Sequence, residues 1–190
     1  MTQKEIFNIF YRSGALQTGH FKLTSGLHSD QYFQCALVLQ HPRYAEQLCS
    51  IAKEYFGGEQ PETVIAPAVG GIVVGQEIAR ILGCRSIFAE RKDGQMTLRR
   101  GFSLRKGERV LVCEDVVTTG GSVKEVIELA QQAGAHVIGV FAVVDRSGGG
   151  ANFGVPFLAA MQMQVKTYPP ESCPLCAQDL PIDQPGSRQL

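Results

Sequence analysis

The run from Arg109 to Ala133 constrains the fold more than any other part of this 190-residue chain. It begins Arg-Val-Leu-Val-Cys, apolar and rich in β-branched residues, the composition of a buried strand. Glu114 and Asp115 stand at the strand's C-terminal end, followed by Val116 and Val117 and then by Thr118, Thr119, Gly120, Gly121 and Ser122. Val123, Val126, Ile127 and Ala130 then recur at helical spacing. The pattern predicts a strand, a tight loop and a helix, with the loop N–H groups gathered at the positive end of the helix. Such a loop holds a phosphate without needing a lysine.

No Gly-x-x-x-x-Gly-Lys-Ser/Thr run occurs, which excludes a Walker A loop. Gly120-Gly121 lacks the Gly-x-Gly-x-x-Gly spacing of a dinucleotide loop. Two carboxylates beside a phosphate would repel it, so Glu114 and Asp115 must face something else. Vicinal ribose hydroxyls are suitable donors to them. The inferred ligand is a ribose 5-phosphate group, its sugar over Glu114 and Asp115 and its phosphate in Thr118–Ser122. An ordinary strand-to-helix turn with solvated acids is the alternative.

Eighteen Lys and Arg residues balance 18 Asp and Glu, which argues against nucleic acid or a membrane surface as the main partner. A hydrophobic fraction of 44% suffices for the core of one domain. The opening Met1-Thr-Gln-Lys-Glu has no signal-peptide character, and no apolar run is long enough to span a bilayer, so a cytoplasmic protein is expected. The six cysteines are scattered and read as small core residues, not as a disulfide framework.

Thr2 and Glu5 have the form of a capping box, predicting a helix to about Ser13 with Ile6, Phe7, Ile9 and Phe10 on its apolar side. Two short strands are expected around a Ser25-Gly26 turn, with Tyr32 and Phe33 either the wall of a flat-ring pocket or plain core. A helix from Pro42 should bury Tyr44, Leu48, Ile51, Ala52 and Tyr55. Thr63–Ala66 reads as a strand running into Pro67-Ala-Val-Gly70-Gly71, a second loop with free N–H groups, ahead of a helix from about Ile72 to Leu82. After a strand at Ser86–Glu90, the cations Arg91, Lys92, Arg99 and Arg100 surround an Asp93-Gly94 turn signal. This basic hairpin is either a lid for a polyanionic ligand or a solvated surface.

His136–Asp145 should lie deep in a parallel sheet. It delivers Arg146 to the strand's C-terminal edge, where open α/β sheets bind ligands and a guanidinium fork suits a carboxylate; a surface pair with Asp145 is the other reading. The proline-rich tail holds Cys173-x-x-Cys176. With no second cysteine pair or histidine pair nearby in the chain, this reads as a structural turn rather than zinc, although a site shared between two copies is conceivable.

Val-Cys-Glu-Asp-Val-Val-Thr-Thr-Gly-Gly-Ser resembles the phosphoribosyl-pyrophosphate (PRPP) motif of the type I phosphoribosyltransferases. The N-terminal segment, the Arg91-Lys92 pair, Arg146 and the tail resemble the orotate phosphoribosyltransferases among them. The resemblance implies a type I phosphoribosyltransferase fold over residues 1–190: a central parallel sheet flanked by helices, core about 42–165, with a hood from about 1–40 plus the C-terminal tail. It implies transfer of the 5-phosphoribosyl group from PRPP to orotate, giving orotidine 5′-phosphate and pyrophosphate. In the family's pattern Gly70, Gly71, Arg91, Lys92, Arg99, Arg100 and Glu114 to Ser122 contact PRPP. Thr118, Arg146, Tyr32 and Phe33 contact orotate, and Arg91, Lys92 and Asp115 are the catalytic candidates. Mg²⁺ comes with PRPP and has no direct protein ligand, and a homodimer is implied in which the basic loop reaches the neighbouring site. Relatives often carry lysine at the positions of Thr24 and Gly70. A transferase for another base stays open. So does a non-catalytic PRPP-sensing regulator, against which the neutral charge and the lack of an added helix-turn-helix count.

Overall fold

A computed structural model describes residues 1–23 and 25–185; Thr24 lies outside the described residues, as does the stretch 186–190. The apolar run is β6 (Arg109–Val117), set inside a six-stranded sheet. The sheet order is β5 (Gln95–Leu98), β4 (Arg85–Lys92), β3 (Thr63–Pro67), β6, β7 (His136–Asp145) and β8 (Phe157–Gln162). All neighbours run parallel except β5, which folds back antiparallel on β4. The central parallel sheet and the basic hairpin are both as expected, and the Asp93-Gly94 turn, both residues at positive φ, makes that hairpin the antiparallel edge of the sheet itself. Strand β8 had no clear signal, because its half-buried, non-alternating Phe-Leu-Ala-Ala-Met-Gln fits neither strand template well.

Chain direction explains where the ligand crevice falls. From β3 the chain passes through α4 (Gly70–Leu82) to β4 on one side; from β6 it passes through α5 (Gly121–Gln132) to β7 on the other. Right-handed crossovers in opposite directions place the two helices on opposite faces. Two cores result: α1 (Gln3–Arg12), α2 (Cys35–Leu39), α3 (Pro42–Phe56) and α4 pack on one face, α5 on the other. Between β3 and β6 the strand order reverses, so their C-terminal ends form a cleft. At the opposite end the same two strands are tied by the buried Glu108. Burial pushes its carboxyl up, but hydrogen bonds from Thr63, the Arg105 N–H and Arg85 outweigh this and hold it at about 2.

Helix α1 has the expected capping box and buries Ile6, Ile9 and Phe10, but Phe7 is exposed on its flank. In α3 the buried stripe is Ala45, Leu48, Cys49, Ala52 and Phe56, one step round from the expected one, which leaves Tyr55 exposed. The cause is Gly139 in β7, which has no side chain and so admits the Phe56 ring against the strand. The hood is a separate three-stranded sheet, β1 (Leu16–Lys22), β2 (His28–Phe33) and β9 (Thr167–Tyr168). The tail is sewn to it again further on: the Asp183 N–H donates to the His20 carbonyl at 2.7 Å and the Lys22 N–H to the Asp183 carbonyl at 2.9 Å. Among the described residues no helix is long and apolar enough to cross a membrane.

Candidate active site

Strand β6 carries Glu114 and Asp115 to the reversal point, where both are half-buried. Local backbone orients them: the Asp115 N–H donates to Glu114 Oε1 at 3.1 Å, and the Val116 N–H to Asp115 Oδ1 at 2.9 Å. Neither makes an ion pair among the described residues. Burial, then the neighbouring Asp115 charge, push the Glu114 carboxyl up to about 9. The β3–α4 loop closes onto this pair. A Cβ on Gly70 would lie 2.6 Å from Asp115 Cγ, and one on Gly71 would lie 3.0 Å from Glu114 Oε1. Glycine at both positions lets the second loop approach the acids with their side chains as they stand; any side chain at Gly70 requires the Asp115 carboxylate to swing aside.

Beyond the acids, Thr118 to Ser122 turn sharply into α5. Gly120 holds φ +76°, and a Cβ there would meet the Phe153 ring at 2.8 Å. No side chain caps α5, so its first amides are left for another acceptor. Glu114 and Val116–Val123 line a small polar cradle of about 60 Å³.

One strand across, the Arg146 N–H donates to the Val117 carbonyl at 2.8 Å, which places Arg146 beside the cradle. Its side chain is half-buried, burial depresses its pKa, and its Nε is buried without a hydrogen-bond partner. Asp145 does not pair with it; Asp145 Oδ1 accepts the Ser147 N–H at 2.8 Å instead. A desolvated guanidinium nitrogen with nothing to donate to is costly unless a ligand meets it. Tyr32 of the hood lies near enough to act on the Arg146 charge, and its ring stands 5.6 Å from that of Phe21. Phe33 is different. Consecutive strand residues point to opposite faces, and Phe33 is in the main core, edge-on to Phe10 at 5.1 Å. The pairing of Tyr32 and Phe33 as one pocket wall is therefore corrected: the structure offers Tyr32 alone.

The basic hairpin lies against α5. Arg91 donates to Glu125 Oε1 at 2.6 Å, one turn past Ser122, and to the Gly94 carbonyl at 3.0 Å. Arg100 makes a two-pronged pair with Glu90 at 2.8 and 2.9 Å and covers the Phe88 ring. Lys92 and Arg99 form no ion pair among the described residues. Arg91 is thus tied to α5, and none of the four cations lines the cradle.

Sequence reasoning missed one constellation. His20 and His28 stand beside Cys173 and Cys176, which corrects the reading of the cysteine pair as a bare turn. No spacing rule could have joined two pairs separated by about 150 residues of chain.

The phosphoribosyl transferase domain family matches residues 36–152, a span that holds the crevice. An orotate phosphoribosyltransferase from Desulforamulus reducens is 55% identical over 190 residues, covering all of both chains. Another from Chlorobium phaeobacteroides is 56% identical over 188 residues, 99% of this chain and 97% of its own. Among solved structures, orotate phosphoribosyltransferase from Aeropyrum pernix superposes with a TM-score of 0.71 at 25% identity, over 82% of this chain and 92% of that one. Adenine phosphoribosyltransferase from Thermoanaerobacter pseudethanolicus shares the fold at 13% identity, with a TM-score of 0.59 over 70% of this chain and 88% of its own. With a β3/β6 crevice of acids and free amides, and with kinship along its whole length, the chain belongs to the orotate phosphoribosyltransferases.

Proposed function

We propose that the chain transfers the 5-phosphoribosyl group of PRPP to orotate, releasing pyrophosphate and forming orotidine 5′-phosphate for pyrimidine synthesis. The observation that carries the choice of base is the unpartnered Arg146 Nε beside the cradle. Orotate, unlike a purine, brings a carboxylate to meet it.

The roles follow from position. Thr118 to Ser122 hold the 5′-phosphate through the free amides of α5. Glu114 and Asp115 accept the ribose hydroxyls, the Asp115 carboxylate also facing the positive charge that develops at C1′. Gly70 and Gly71 present main-chain N–H groups to pyrophosphate. Arg146 and Thr118 fix orotate, with Tyr32 along its ring. N1 of orotate displaces pyrophosphate at C1′, and no covalent intermediate with the protein is required. The protein contributes positioning and charge stabilisation. Arg91, Lys92, Arg99 and Arg100 offset the charge growing on the leaving group.

The crevice suits a Mg²⁺ ion that arrives with PRPP. Its acids supply hard oxygen donors, but each has one oxygen engaged by a backbone N–H, so they do not make an all-protein cage. When bound, the ion supplies neutralisation of the diphosphate. We propose a homodimer in the cytoplasm, each hairpin completing its neighbour's site, as the family resemblance implies.

Steady-state kinetics with orotate, PRPP and Mg²⁺ test the assignment. Arg146→Ala should raise the orotate KM about 30- to 100-fold and leave the PRPP KM within about twofold, the cost of a lost charged hydrogen-bond pair. Equal losses for both substrates would remove Arg146 from the base site.

A further inference from the structure

We propose that His20, His28, Cys173 and Cys176 form a closed tetrahedral zinc site that clamps the C-terminal tail to the hood. His20 Nε2 lies 3.0 Å from His28 Nδ1, 3.6 Å from Cys173 Sγ and 3.7 Å from Cys176 Sγ, and Cys176 Sγ lies 3.2 Å from His28 Nδ1. All four donor atoms fall within 4.8 Å of one another. Zn–N bonds of about 2.0 Å and Zn–S bonds of about 2.3 Å put the corners of a tetrahedron roughly 3.3 to 3.8 Å apart. The observed separations cluster around that range, so a small inward or outward adjustment of side chains completes the shell.

The histidine tautomer supports the same reading. His20 Nδ1 is 2.9 Å from the Leu180 carbonyl, which can only accept, so Nδ1 carries the proton and Nε2 turns its lone pair toward the two sulfurs. A ligating histidine fixed by a backbone carbonyl through its other nitrogen is the usual outer support of a zinc site. That carbonyl belongs to the tail, so the support and two of the ligands come from one side of the clamp and both histidines from the other. His20, His28 and Cys173 are buried, and Cys176 is partly so. Both cysteines are free thiols, not a disulfide. Two sulfurs and two imidazoles with no carboxylate select zinc over Mg²⁺. With four protein ligands no coordination position is left for substrate, so the site is structural.

Its effect reaches the crevice through β2. That strand carries His28 at its start and Tyr32 four residues on, and pairs with tail strand β9 at His28 and Ser29. An ion at this junction fixes the hood hairpin and the tail as one body. Binding displaces a proton from each thiol to solvent, so affinity rises with pH through the thiol range.

The test uses the full chain purified without chelators from zinc-containing medium. Elemental analysis should give about one zinc per chain. Replacement by Co²⁺ should give the strong visible bands of tetrahedral cobalt with thiolate-to-metal charge transfer. The double variant Cys173→Ser/Cys176→Ser should lose both signals, while Cys84→Ser keeps them. Because those variants can misfold, wild type is also stripped with chelator, and its Tm should fall and be restored by Zn²⁺ but not by Mg²⁺. A wild-type chain without zinc and with only a weak octahedral cobalt spectrum would overturn the proposal. So would a Cys173–Cys176 disulfide in the freshly purified chain, or zinc retained by the double variant. None of these readouts depends on turnover of orotate, so they stand apart from the proposed activity.

Discussion

The crevice and the basic hairpin border each other across the start of α5, yet their charges are handled in opposite ways. In the crevice, Glu114, Asp115 and Arg146 are half-buried and make no ion pairs among the described residues. On the hairpin, Arg91 and Arg100 are exposed and paired, with Glu125 and Glu90. The first set is held by strands that cannot move without unmaking the sheet, so its unmet hydrogen-bonding capacity is permanent and specific to a ligand. The second set is held by surface pairs that water screens and that contribute little to stability. Those pairs can be exchanged for diphosphate oxygens at small cost. A preformed acceptor and an exchangeable donor are what a reaction with a highly charged leaving group requires.

The largest expected effect tests the exchangeable side. Lys92→Ala should lower kcat about 100- to 1000-fold, the loss typical of one charge-stabilising group, with Tm almost unchanged because the side chain is exposed. A variant with ordinary kcat would leave the hairpin as mere surface. The proposed homodimer gives this prediction a sharper form. Inactive Lys92→Ala chains mixed with inactive Asp115→Asn chains should recover roughly a quarter of wild-type activity. Half the dimers are then mixed, and each of those has one intact site. No recovery would confine each hairpin to its own crevice.

Next comes the preformed side. Gly70→Ala puts a methyl group into the Asp115 carboxylate, which must swing away from its Val116 N–H. We expect the PRPP KM to rise about 10-fold with the orotate KM nearly unchanged, since one ribose contact is lost and Arg146 is not touched. If both constants stay at wild-type values, the loop has more room than the packing shows and the acids are less rigid than the comparison requires.

What was legible follows the same division. Strand β6, the cradle and α5 form one contiguous stretch in which hydrophobic period, acid pair and glycine turn all agree, so fold and ligand class could be read together. Arg146 was legible because a strand end fixes its neighbourhood. Phe33 was misread because alternation along β2 was weak, and only the packing with Phe10 shows which face it takes. The His20–His28–Cys173–Cys176 cluster was hidden because chain order says nothing about which distant segments meet. The tail reaches the hood through β9 and Asp183, contacts that no local period announces.

The last effect is a pH dependence of stability rather than of turnover, and it sets one carboxylate of each region against the other. Glu114 is raised from 4.5 to about 9 by burial and by Asp115. The unfolded chain gives up that proton near 4.5, so across this window the folded chain binds more protons and its stability falls as pH rises. Glu90 is lowered by its hydrogen bonds to Arg100, so its contribution is present above 4.5 and fades as pH drops; because its partner Arg100 is exposed and the pair lies at the surface, it is weak. Thermal denaturation of the ligand-free chain between about pH 5 and pH 9 should therefore show a Tm that declines with pH. Glu114→Gln should flatten that decline, and Glu90→Gln should leave it in place. PRPP reverses the sign at the crevice, because ribose hydroxyls favour the ionised acceptor. Binding should release a proton, seen as a calorimetric heat that depends on the buffer's ionisation enthalpy, and Glu114→Gln should abolish it. If Glu90→Gln flattened the curve and Glu114→Gln did not, the unpaired and paired regions would have to trade places.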